Sequence, residues 1–514
     1  GTGLGLAISR RIVAGMGGLA SALTLSHQGH EVCVVEANPE PGGKVHATQI
    51  EGQAIDSGPT VLTMRWVFDE LFASVQENLE DHLKLQPLSV LARHFWPDGS
   101  RMDLCADPIQ SQAEVQRLAG AAEAERFRKF CLRTKALYDA LEKPFMRQPV
   151  RHAPQFMADV GWSGLKLLSQ LGPFRTLWQQ LIRDFRDPRL QQLFGRYATY
   201  CGSSPWQAPA TLSLIAQAEF QGVWSVEGGM RSLSAALVKL ARHRGATFRF
   251  QSPCEHLEVH DGTVRAVVLQ GGERIEADRV ICNVDPAALS TGLLGTSARK
   301  ALPSRVAQSN RERSLSAVTW SMWAPRQAVD LDRHNVFFQL PYSREFQDIF
   351  KYRRLPKTPT VYVCAQDRPS GPVGDRERLF CLVNAPANGD EKPDSQETAQ
   401  CEQQTFQQLH HMGLRLDPTR ARRRATPVDF HRRFPATGGA LYGQPTHGWM
   451  SIFSRPAATT AIRGLFLAGG GVHPGPGVSM ATLSGLRAAE ALVASLASTR
   501  RSPPVATFGG MQTR

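Results

Sequence analysis

The sequence predicts an α/β protein in which a discontinuous Rossmann-like domain carries an inserted α+β domain. Three observations predict this fold: a βαβ pattern near the first residues, a buried strand followed by glycines near the last ones, and a long mixed segment between them. Two glycine-rich strand ends far apart in the chain suit one extended dinucleotide better than a mononucleotide. With 514 residues the chain is long enough for two or three packed domains.

The first βαβ unit contains the glycine-rich turn. A short apolar stub, Ile12–Val13, leads through this turn into a helix predicted over Leu19–His27, and a strand over His30–Val35 ends at Glu36. Glycines at such a turn let the backbone approach a pyrophosphate, and an acidic residue about 20 positions later accepts hydrogen bonds from ribose hydroxyls. The candidate nucleotide-binding residues of this unit are Gly15, Gly17, Gly18 and Glu36.

The glycine fingerprint of this unit is incomplete. In the G-x-G-x-x-G register the first position is Val13, whose side chain crowds a turn that normally takes glycine. The preceding residues, Gly1–Val13, resemble the glycine-rich ATP-lid segment of sensor histidine kinases. This pattern predicts an altered N-terminal segment, and it keeps open the alternative of a chain that no longer binds its cofactor.

The middle of the chain mixes helices and strands. Residues 65–220 carry bulky apolar residues in a largely helical pattern, and residues 315–383 alternate as expected of an antiparallel sheet. A hairpin is predicted over Glu255–His260 and Val264–Leu269. The predicted nucleotide-binding parts are residues 1–64, 222–300 and 440–498, the inserted domain comprises residues 65–221 and 301–439, and residues 499–514 are expected to be disordered.

The composition argues against several classes of protein. The net charge of +13 is not accompanied by zinc-finger spacing or a ribonucleoprotein signature, so no nucleic-acid partner is expected. The nine cysteines form no C-x-x-C pair, which disfavours a metal site and a disulfide framework and fits a reducing, cytoplasmic compartment. The charge-free run 464–486 is too rich in glycine and proline for a spanning helix, so any membrane contact is expected to be peripheral.

Five segments resemble the bacterial phytoene desaturase family of carotenoid oxidoreductases. In chain order these segments are Ala14–Glu36, Pro41–Lys44, Asp56–Thr60, Trp224–Met230 and Gly464–Met480. Two further segments are most similar to the desaturases of hydroxylated acyclic carotenoids, namely Ala198–Gly202 and Ala440–Trp449. The resemblance implies an amine-oxidase-like fold, non-covalent FAD, an acyclic carotenoid taken from the membrane, introduction of a 3,4 double bond, and a quinone or oxygen as electron acceptor.

The resemblance also implies further cofactor-binding residues. The turn at Gly58–Thr60 is expected near the isoalloxazine ring, Cys254 near the adenine, and the loop His473–Gly477 beneath the flavin. The helix after this loop is expected to direct its N-terminus at the flavin carbonyl, where negative charge grows on reduction. The residues implied in this way are Gly43, Lys44, Gly58, Pro59, Thr60, Cys254, Gly470, Gly477, Val478 and Met480.

A catalytic residue is not identified by the sequence. Dehydrogenation next to a polyene needs positioning in a dry channel more than it needs a triad or a metal. Glu227 is a candidate acid or base only because its motif is expected beside the flavin, and His473 because of its loop. A histidine in such a loop is more often a structural hydrogen-bonding residue.

Several alternatives stay open at this point. A phytoene desaturase and a flavin-dependent carotenoid cis–trans isomerase fit the same motifs. The Trp/Phe/Leu-rich stretch Phe156–Phe185 suits either a membrane-docking face or core helices with basic outer faces. A second basic cluster suits either anionic lipid headgroups or a solvated loop; it comprises Arg420, Arg422, Arg423, Arg424, Arg432 and Arg433.

Overall fold

The protein is described by a computed structural model that covers residues 15–149, 153–171, 174–303, 312–368, 374–391, 395–417, 419 and 421–500. The stub Ile12–Val13, the kinase-like segment Gly1–Val13 and the tail beyond residue 500 lie outside these described residues. Residues 499 and 500, predicted to be disordered, belong to the last helix.

The secondary structure alternates along most of the chain. The strands are β1 (Cys33–Val35), β2 (Ala47–Ile50), β3 (Gln53–Asp56), β4 (Leu62–Thr63), β5 (Leu85–Pro87), β6 (Val90–Phe95), β7 (Arg101–Cys105), β8 (Val223–Val226), β9 (Thr247–Arg249), β10 (Cys254–His260), β11 (Thr263–Leu269), β12 (Arg274–Glu276), β13 (Val280–Cys282), β14 (Ser316–Pro325), β15 (His334–Phe337), β16 (Val361–Ala365), β17 (Arg376–Ala385), β18 (Arg422–Ala425) and β19 (Leu465–Leu467). The helices are α1 (Met16–His27), α2 (Trp66–Ser74), α3 (Leu79–His82), α4 (Pro108–Ala119), α5 (Ala121–Leu141), α6 (Ala153–Leu171), α7 (Leu177–Asp184), α8 (Pro188–Gly195), α9 (Leu214–Phe220), α10 (Arg231–His243), α11 (Pro286–Ser290), α12 (Tyr342–Phe346), α13 (Ser395–His411), α14 (Pro427–Arg433) and α15 (Val478–Arg500).

The first and last described helices, α1 and α15, pack against each other. Small residues allow this close approach: a Cβ on Gly485 would lie 2.0 Å from the carbonyl oxygen of Gly17. The Ser21 hydroxyl donates a 2.8 Å hydrogen bond to the carbonyl of Gly485. On the sheet side, β1 pairs in parallel with β9, and β13 pairs in parallel with β19. Distant parts of the chain therefore build two short parallel strand pairs, as expected of a discontinuous Rossmann-like fold.

The inserted part is built on a seven-stranded sheet. The strand order is β18-β14-β17-β16-β15-β6-β7, and its pairs are antiparallel except for β15 with β6. Helix α13 covers one face, where Phe406 packs edge-on against the fully buried Trp320. A second apolar core joins α5, α7 and α8 through clustered aromatic rings such as Phe130 and Phe194, whose centroids are 4.5 Å apart. The sheet predicted over residues 315–383 is confirmed.

Helix α2 lies in a segment, residues 65–221, that the sequence assigned to the inserted domain. Its apolar side chains, including Val67, Phe68 and Phe72, are fully buried in the core that contains α1 and α10. Helix α2 therefore packs with the nucleotide-binding part. Its wide apolar face is removed from water there by contact with the side chains of that core. Strand β8 pairs with both β4 and β5, so the two parts of the protein share a small sheet at their junction.

Every helix among the described residues is too short or too polar to cross a lipid bilayer.

Candidate nucleotide and flavin site

The N-terminus of α1 forms the centre of the predicted nucleotide site. Gly15 precedes the helix in an extended conformation and forms a parallel bridge with Gly42. The amide of Gly18 donates a 2.9 Å hydrogen bond to Oδ1 of Asn283, which follows β13. The amide group of Asn283 also donates to the carbonyl of Ala468 at the end of β19. One side chain thus links the first turn of α1 to the ends of two parallel strands.

Gly17 is enclosed by backbone from the other end of the chain. A Cβ at Gly17 would lie 2.6 Å from the carbonyl oxygen of Ala481 and 2.9 Å from the amide nitrogen of Gly469. Backbone atoms cannot rotate away as side chains do, so position 17 has no room for a side chain. The structure therefore brings Gly17 and Gly18 next to the predicted C-terminal cofactor segment.

Glu36 lies directly after β1 and is almost fully buried. Its carboxylate accepts a 2.8 Å hydrogen bond from the amide of Asn38, and its carbonyl accepts one from the amide of Ser252. Cys254 begins β10 two residues later, and its thiol lies 3.2 Å from the carbonyl oxygen of His256. The contact with Ser252 thus brings Glu36 close to the start of β10, and the placement of Glu36 and Cys254 at an adenosine stays a prediction.

Arg433 contacts the predicted nucleotide-binding segment, whereas the sequence left it between lipid contact and a solvated loop. It is partly buried, and one of its terminal nitrogens donates to the carbonyl of Gly43. Burial lowers the pKa of Arg433, while the charges of Glu36 and Glu40 raise it. Arg422 also has a structural role, since its guanidinium pairs with Glu402.

The segment Gly43–Lys44 lies between the α1 turn and the Gly58 turn. A Cβ on Gly43 would approach the Cα of Gly15 to 3.1 Å, and one on Gly58 would lie 1.9 Å from the carbonyl oxygen of Lys44. These contacts place Gly15, Gly43, Lys44 and Gly58 side by side. Pro59 follows Gly58 in the chain and connects this group of residues to Thr60.

Two cations in this region are held by carbonyl groups. The ammonium of Lys44 donates to the carbonyl of Leu441. The buried guanidinium of Arg455 donates to the carbonyls of Tyr442, Gln444 and Gly470 at 3.1, 2.9 and 3.2 Å. Burial lowers the pKa of both groups, and only a longer-range attraction from Asp285 opposes it at Lys44.

Thr60 begins a chain of hydrogen bonds that leads into the inserted part. Its hydroxyl lies 2.7 Å from the hydroxyl of Tyr362, which in turn lies 2.7 Å from Nδ1 of His334. Burial lowers the pKa of His334 to about 3, so its imidazole is neutral at pH 7. The predicted ring-binding turn is thereby joined to strands β15 and β16.

The C-terminal loop returns to the same place. A Cβ on Gly470 would lie 3.4 Å from the Cα of Pro476, so the strand end and the loop are in contact. Gly477 has a φ of +117°, a conformation that favours glycine, and it leads directly into α15. Val478 and Met480 pack their side chains against the core shared with α1. Their backbone amides therefore belong to the first turn of a helix anchored beside the nucleotide site.

His473 has the structural role that its loop suggested. Nε2 lies 3.2 Å from the carbonyl oxygen of Gln148, and the ring packs edge-on against Phe145 at 5.0 Å. Burial lowers the pKa of His473 to about 4, so the ring is neutral at pH 7. These contacts hold the loop that was predicted to lie beneath the flavin against the inserted part.

Glu227 is a correction to the candidate acid–base residues. Its side chain is 61% exposed and pairs at 3.6 Å with Lys84, which is 77% exposed. The residue lies at the end of β8, where the strand directs this side chain to solvent. The buried carboxylate at this motif is instead Asp56, which accepts a 2.9 Å hydrogen bond from the amide of Met230 and so caps α10.

The residues brought together fit a dinucleotide with a flavin. A helix N-terminus with glycines at the closest approach accepts a pyrophosphate, and two cations without a paired carboxylate supply the opposite charge. Within the described residues, neither Lys44 nor Arg455 has an ion pair shorter than 4.0 Å. Sequence reasoning missed Asn283 and Arg455 and did not connect Arg433 with this site, because none of them belongs to a glycine motif.

Comparisons with known proteins agree with this geometry. The family model described as flavin containing amine oxidoreductase matches residues 16–493. The hydroxyneurosporene desaturase of Rubrivivax gelatinosus is 51% identical over 98% of this chain and 96% of its own length. The enzyme of the same name from Cereibacter sphaeroides is 43% identical over 95% of this chain and 98% of its own. An oxidoreductase from Methanosarcina mazei has the same fold, with a TM-score of 0.62, 16% identity, and coverage of 94% and 99%.

These matches confirm the predicted resemblance, the amine-oxidase-like fold and the flavin cofactor, FAD. Assignments of individual cofactor-binding residues stay predictions that the contacts described above support. The chain belongs to the flavin containing amine oxidoreductase family.

Proposed function

We propose that this protein is an FAD-dependent desaturase that introduces a 3,4 double bond into a hydroxylated acyclic carotenoid. The observation that carries the proposal is the near full-length identity, 51% and 43%, to two hydroxyneurosporene desaturases. The contacts of Gly17 with Gly469, of Lys44 with Leu441 and of Arg455 with Gly470 support it, because they bring together segments that were predicted to bind the cofactor.

The reaction removes two hydrogens from a saturated C–C bond next to the polyene. FAD, when bound, supplies the two-electron oxidant that accepts a hydride. The remaining proton leaves to water, and a quinone or oxygen finally takes the electrons. The positive charge that develops is stabilised by conjugation, so the chain itself needs no strong base. Its tasks are to hold the cofactor, to align the polyene and to exclude water.

Named residues of this chain carry these tasks. Lys44 and Arg455 neutralise the pyrophosphate, and the first turns of α1 and α15 direct amides at the dinucleotide. The turn at Thr60 holds the ring in place through its contact with Tyr362. Neutral His473 keeps the loop closed without adding charge near the developing cation.

The proposal is tested with purified protein, FAD and a 1-hydroxylated acyclic carotenoid in liposomes, with a quinone or air as acceptor. The expected product absorbs at longer wavelength and is lighter by two hydrogens in mass spectrometry. A product of unchanged mass would show a cis–trans isomerase instead. Conversion of phytoene but not of the hydroxylated carotenoid would show a phytoene desaturase, and colourless protein without flavin absorbance would contradict both enzymes.

The lipid surface is a second part of the proposal. Helix α6 buries Phe156 and Val160 against α5, whereas Trp162 on the same helix is 90% exposed. The neighbouring Phe174 is 77% exposed and packs edge-on against Trp449. Exposed aromatic residues are typical of proteins that lie on a membrane, and we propose that the surface that carries Trp162 and Phe174 takes up the carotenoid from the bilayer.

Co-sedimentation with phospholipid vesicles tests this surface. We expect Trp162→Asp with Phe174→Asp to reduce the vesicle-bound fraction severalfold, because both charges would have to enter the interface. Ile109→Asp is the matched control, since Ile109 is 76% exposed on α4. Equal binding of the double variant and the wild type would contradict the docking face, and an equal loss in the control would show a general effect of charge.

A further inference from the structure

A polar cluster lies inside the otherwise apolar inserted part. It is carried by the 3-10 helix Arg196–Cys201, which follows α8, and by the end of α9. The hydroxyl of Tyr197 donates a 2.6 Å hydrogen bond to the carboxylate of Glu219, and both side chains are buried. Burial raises the pKa of Glu219, which the hydrogen bond from Tyr197 opposes. Burial of these polar groups among phenylalanine side chains costs free energy, unless the groups bind a ligand or fix a single packing arrangement.

Arg196 is the residue of this cluster that retains hydrogen-bonding capacity. One terminal nitrogen donates a 3.3 Å hydrogen bond to the hydroxyl of Tyr200. The guanidinium lies over the rings of Tyr200 and Tyr362, 5.6 and 5.3 Å from their centroids. Within the described part of the chain, Arg196 has no ion pair shorter than 4.0 Å. A guanidinium has five N–H donors, so most of them remain available to an acceptor.

A second observation points to a ligand beside Arg196. The hydroxyl of Tyr342, a residue only 6% exposed, has no hydrogen-bond partner among the described residues. The ring of Tyr342 lies next to Gly195, since a Cβ there would be 3.5 Å from its Cε1. A buried hydroxyl without a partner costs free energy, which a ligand with its own hydroxyl group would offset.

The cluster is adjacent to the predicted reaction centre. Arg196 stacks on Tyr362, and the hydroxyl of Tyr362 lies 2.7 Å from that of Thr60, the residue expected beside the isoalloxazine ring. In a 1-hydroxylated carotenoid the oxygen on C1 is only two carbons from C3, one end of the bond that is dehydrogenated. When the C3–C4 bond lies at the isoalloxazine ring, the C1 hydroxyl must therefore lie no farther from that ring than the length of one side chain.

We infer that Arg196 is a specificity-determining residue that binds the substrate's C1 hydroxyl, with Tyr200 as its hydrogen-bonding partner. The inference rests on the proposed function and deepens it. Arg196 donates to the oxygen, and the oxygen's own proton is donated to the Tyr200 hydroxyl. The positive charge of the reaction is delocalised along the polyene, away from the hydroxylated end, which lessens its repulsion by the guanidinium. Sites built for a substrate hydroxyl discriminate strongly against analogues that lack it.

The test compares the 1-hydroxylated carotenoid with its non-hydroxylated counterpart. We expect Arg196→Met, which retains an unbranched apolar stem, to lower kcat/KM for the hydroxylated carotenoid about 10- to 100-fold, the range of a hydrogen bond to a charged group. The value for the non-hydroxylated carotenoid should stay within about threefold, since that substrate never used the contact. Arg432→Met, at a side chain 75% exposed, is the matched control and should change neither value.

A binding measurement accompanies the kinetics. Immobilised, FAD-loaded protein without an electron acceptor is equilibrated with both carotenoids in detergent, and the retained pigments are extracted and measured by absorbance. Wild type and Arg432→Met should retain the hydroxylated carotenoid in excess, and Arg196→Met should retain the two equally. Should Arg196→Met fail to fold, Arg196→Gln replaces it, with the preference expected to fall about tenfold.

The outcomes separate the two claims. A wild type that desaturates neither carotenoid would contradict the proposed function. A wild type that desaturates the hydroxylated carotenoid, with a variant that keeps the full preference, would overturn the role of Arg196 alone. An equal loss for both carotenoids would also overturn it, because it would indicate a purely structural residue.

Discussion

The seven-stranded sheet and the nucleotide site stabilise their buried cations in different ways. In the sheet, Arg368 is 7% exposed and makes a two-pronged ion pair with Glu377, which is 2% exposed, at 2.7 and 2.8 Å. At the nucleotide site, backbone carbonyls accept from Arg455 and Lys44, and the ammonium of Lys44 also lies 5.4 Å from the centroid of the Phe434 ring. The carbonyl dipoles orient these cations but do not neutralise them.

The difference separates a structural cation from one that awaits a ligand. Arg368 has its counter-charge within the fold, so the sheet is complete by itself. Lys44 and Arg455 have no such counter-charge within 4.0 Å among the described residues; a cation in a desolvated place is unfavourable in the protein alone and favourable once a pyrophosphate is bound. Arg196 follows the second pattern, with aromatic faces in place of carbonyls.

The largest effect is expected from breaking the pair in the sheet. Glu377→Gln leaves Arg368 charged and buried, and we expect the free energy of unfolding to fall by about 3–5 kcal/mol in urea denaturation followed by fluorescence. The control is Asp390→Asn at the pair with Arg313, whose side chains are 35% and 25% exposed; there we expect less than about 1 kcal/mol. Equal losses of stability at the two pairs would show that burial does not determine how much these ion pairs contribute.

Replacing both partners sharpens this test. The double variant Arg368→Met with Glu377→Met removes both charges together, and it should recover most of the lost stability. If the double variant is as unstable as Glu377→Gln, then the carbonyls of Gln327 and Val329, which also accept from Arg368, carry the stabilisation instead.

Buried histidines differ from the buried cations above, because burial favours their neutral form. The pKa of His473 is lowered by burial to about 4 from 6.5, so the unfolded chain binds a proton more readily than the folded one between these values. Its contribution to stability is therefore present above pH 6.5 and is lost as the pH falls toward 4, by at most about 3 kcal/mol. We expect His473→Gln to flatten this part of the pH profile of the urea midpoint.

The control for this prediction is His260→Gln, at a side chain that is 75% exposed. It should leave the pH profile unchanged. Because His46, His94, His334 and His447 also have pKa values lowered by burial, the His473→Gln variant should retain the remaining acid sensitivity. A variant with the wild-type profile would show that His473 does not titrate on unfolding.

The regular elements of the nucleotide part were predictable from sequence because their signals are local. The bounds of the hairpin β10–β11 agree with the prediction within one residue. Helix α1 begins at Met16 rather than Leu19, since Gly17 and Gly18, which were assigned to the turn, already belong to its first helical turn. Apolar runs, a turn dipeptide and glycine spacing carry this information within a few neighbouring residues.

The remaining parts of the site depend on contacts between distant residues. Asn283, Arg433 and Arg455 act through contacts with residues distant in sequence, and their neighbours in sequence resemble any strand end, helix or loop. Glu227 was misplaced because a glycine motif predicts where the backbone passes but not which way a side chain points. Arg196 adjoins a segment noted only for its similarity to hydroxycarotenoid desaturases, and its aromatic neighbours become visible only in the fold.

The smallest expected effect, about 1.5–3 kcal/mol, concerns FAD affinity. Lys44→Met removes an unpaired cation, and we expect the FAD dissociation constant to rise about 10- to 100-fold in flavin-fluorescence titration. Unlike the variant in the sheet, it should leave the stability of the flavin-free protein unchanged or slightly higher, because no counter-charge is left unpaired. Lys84→Met, at a side chain 77% exposed, is the control and should bind FAD normally.

The pH dependence of FAD binding separates charge from packing at Lys44. Burial lowers the pKa of its ammonium, so the cation is lost at a lower pH than for an ordinary lysine. Protonated Lys44 attracts the pyrophosphate; FAD affinity should therefore fall as the pH rises through that lowered pKa, and Lys44→Met should lack this fall. If the wild type and Lys44→Met lose FAD affinity in parallel, the ammonium of Lys44 does not face the pyrophosphate. Arg455 is then the cation of this pair that binds it.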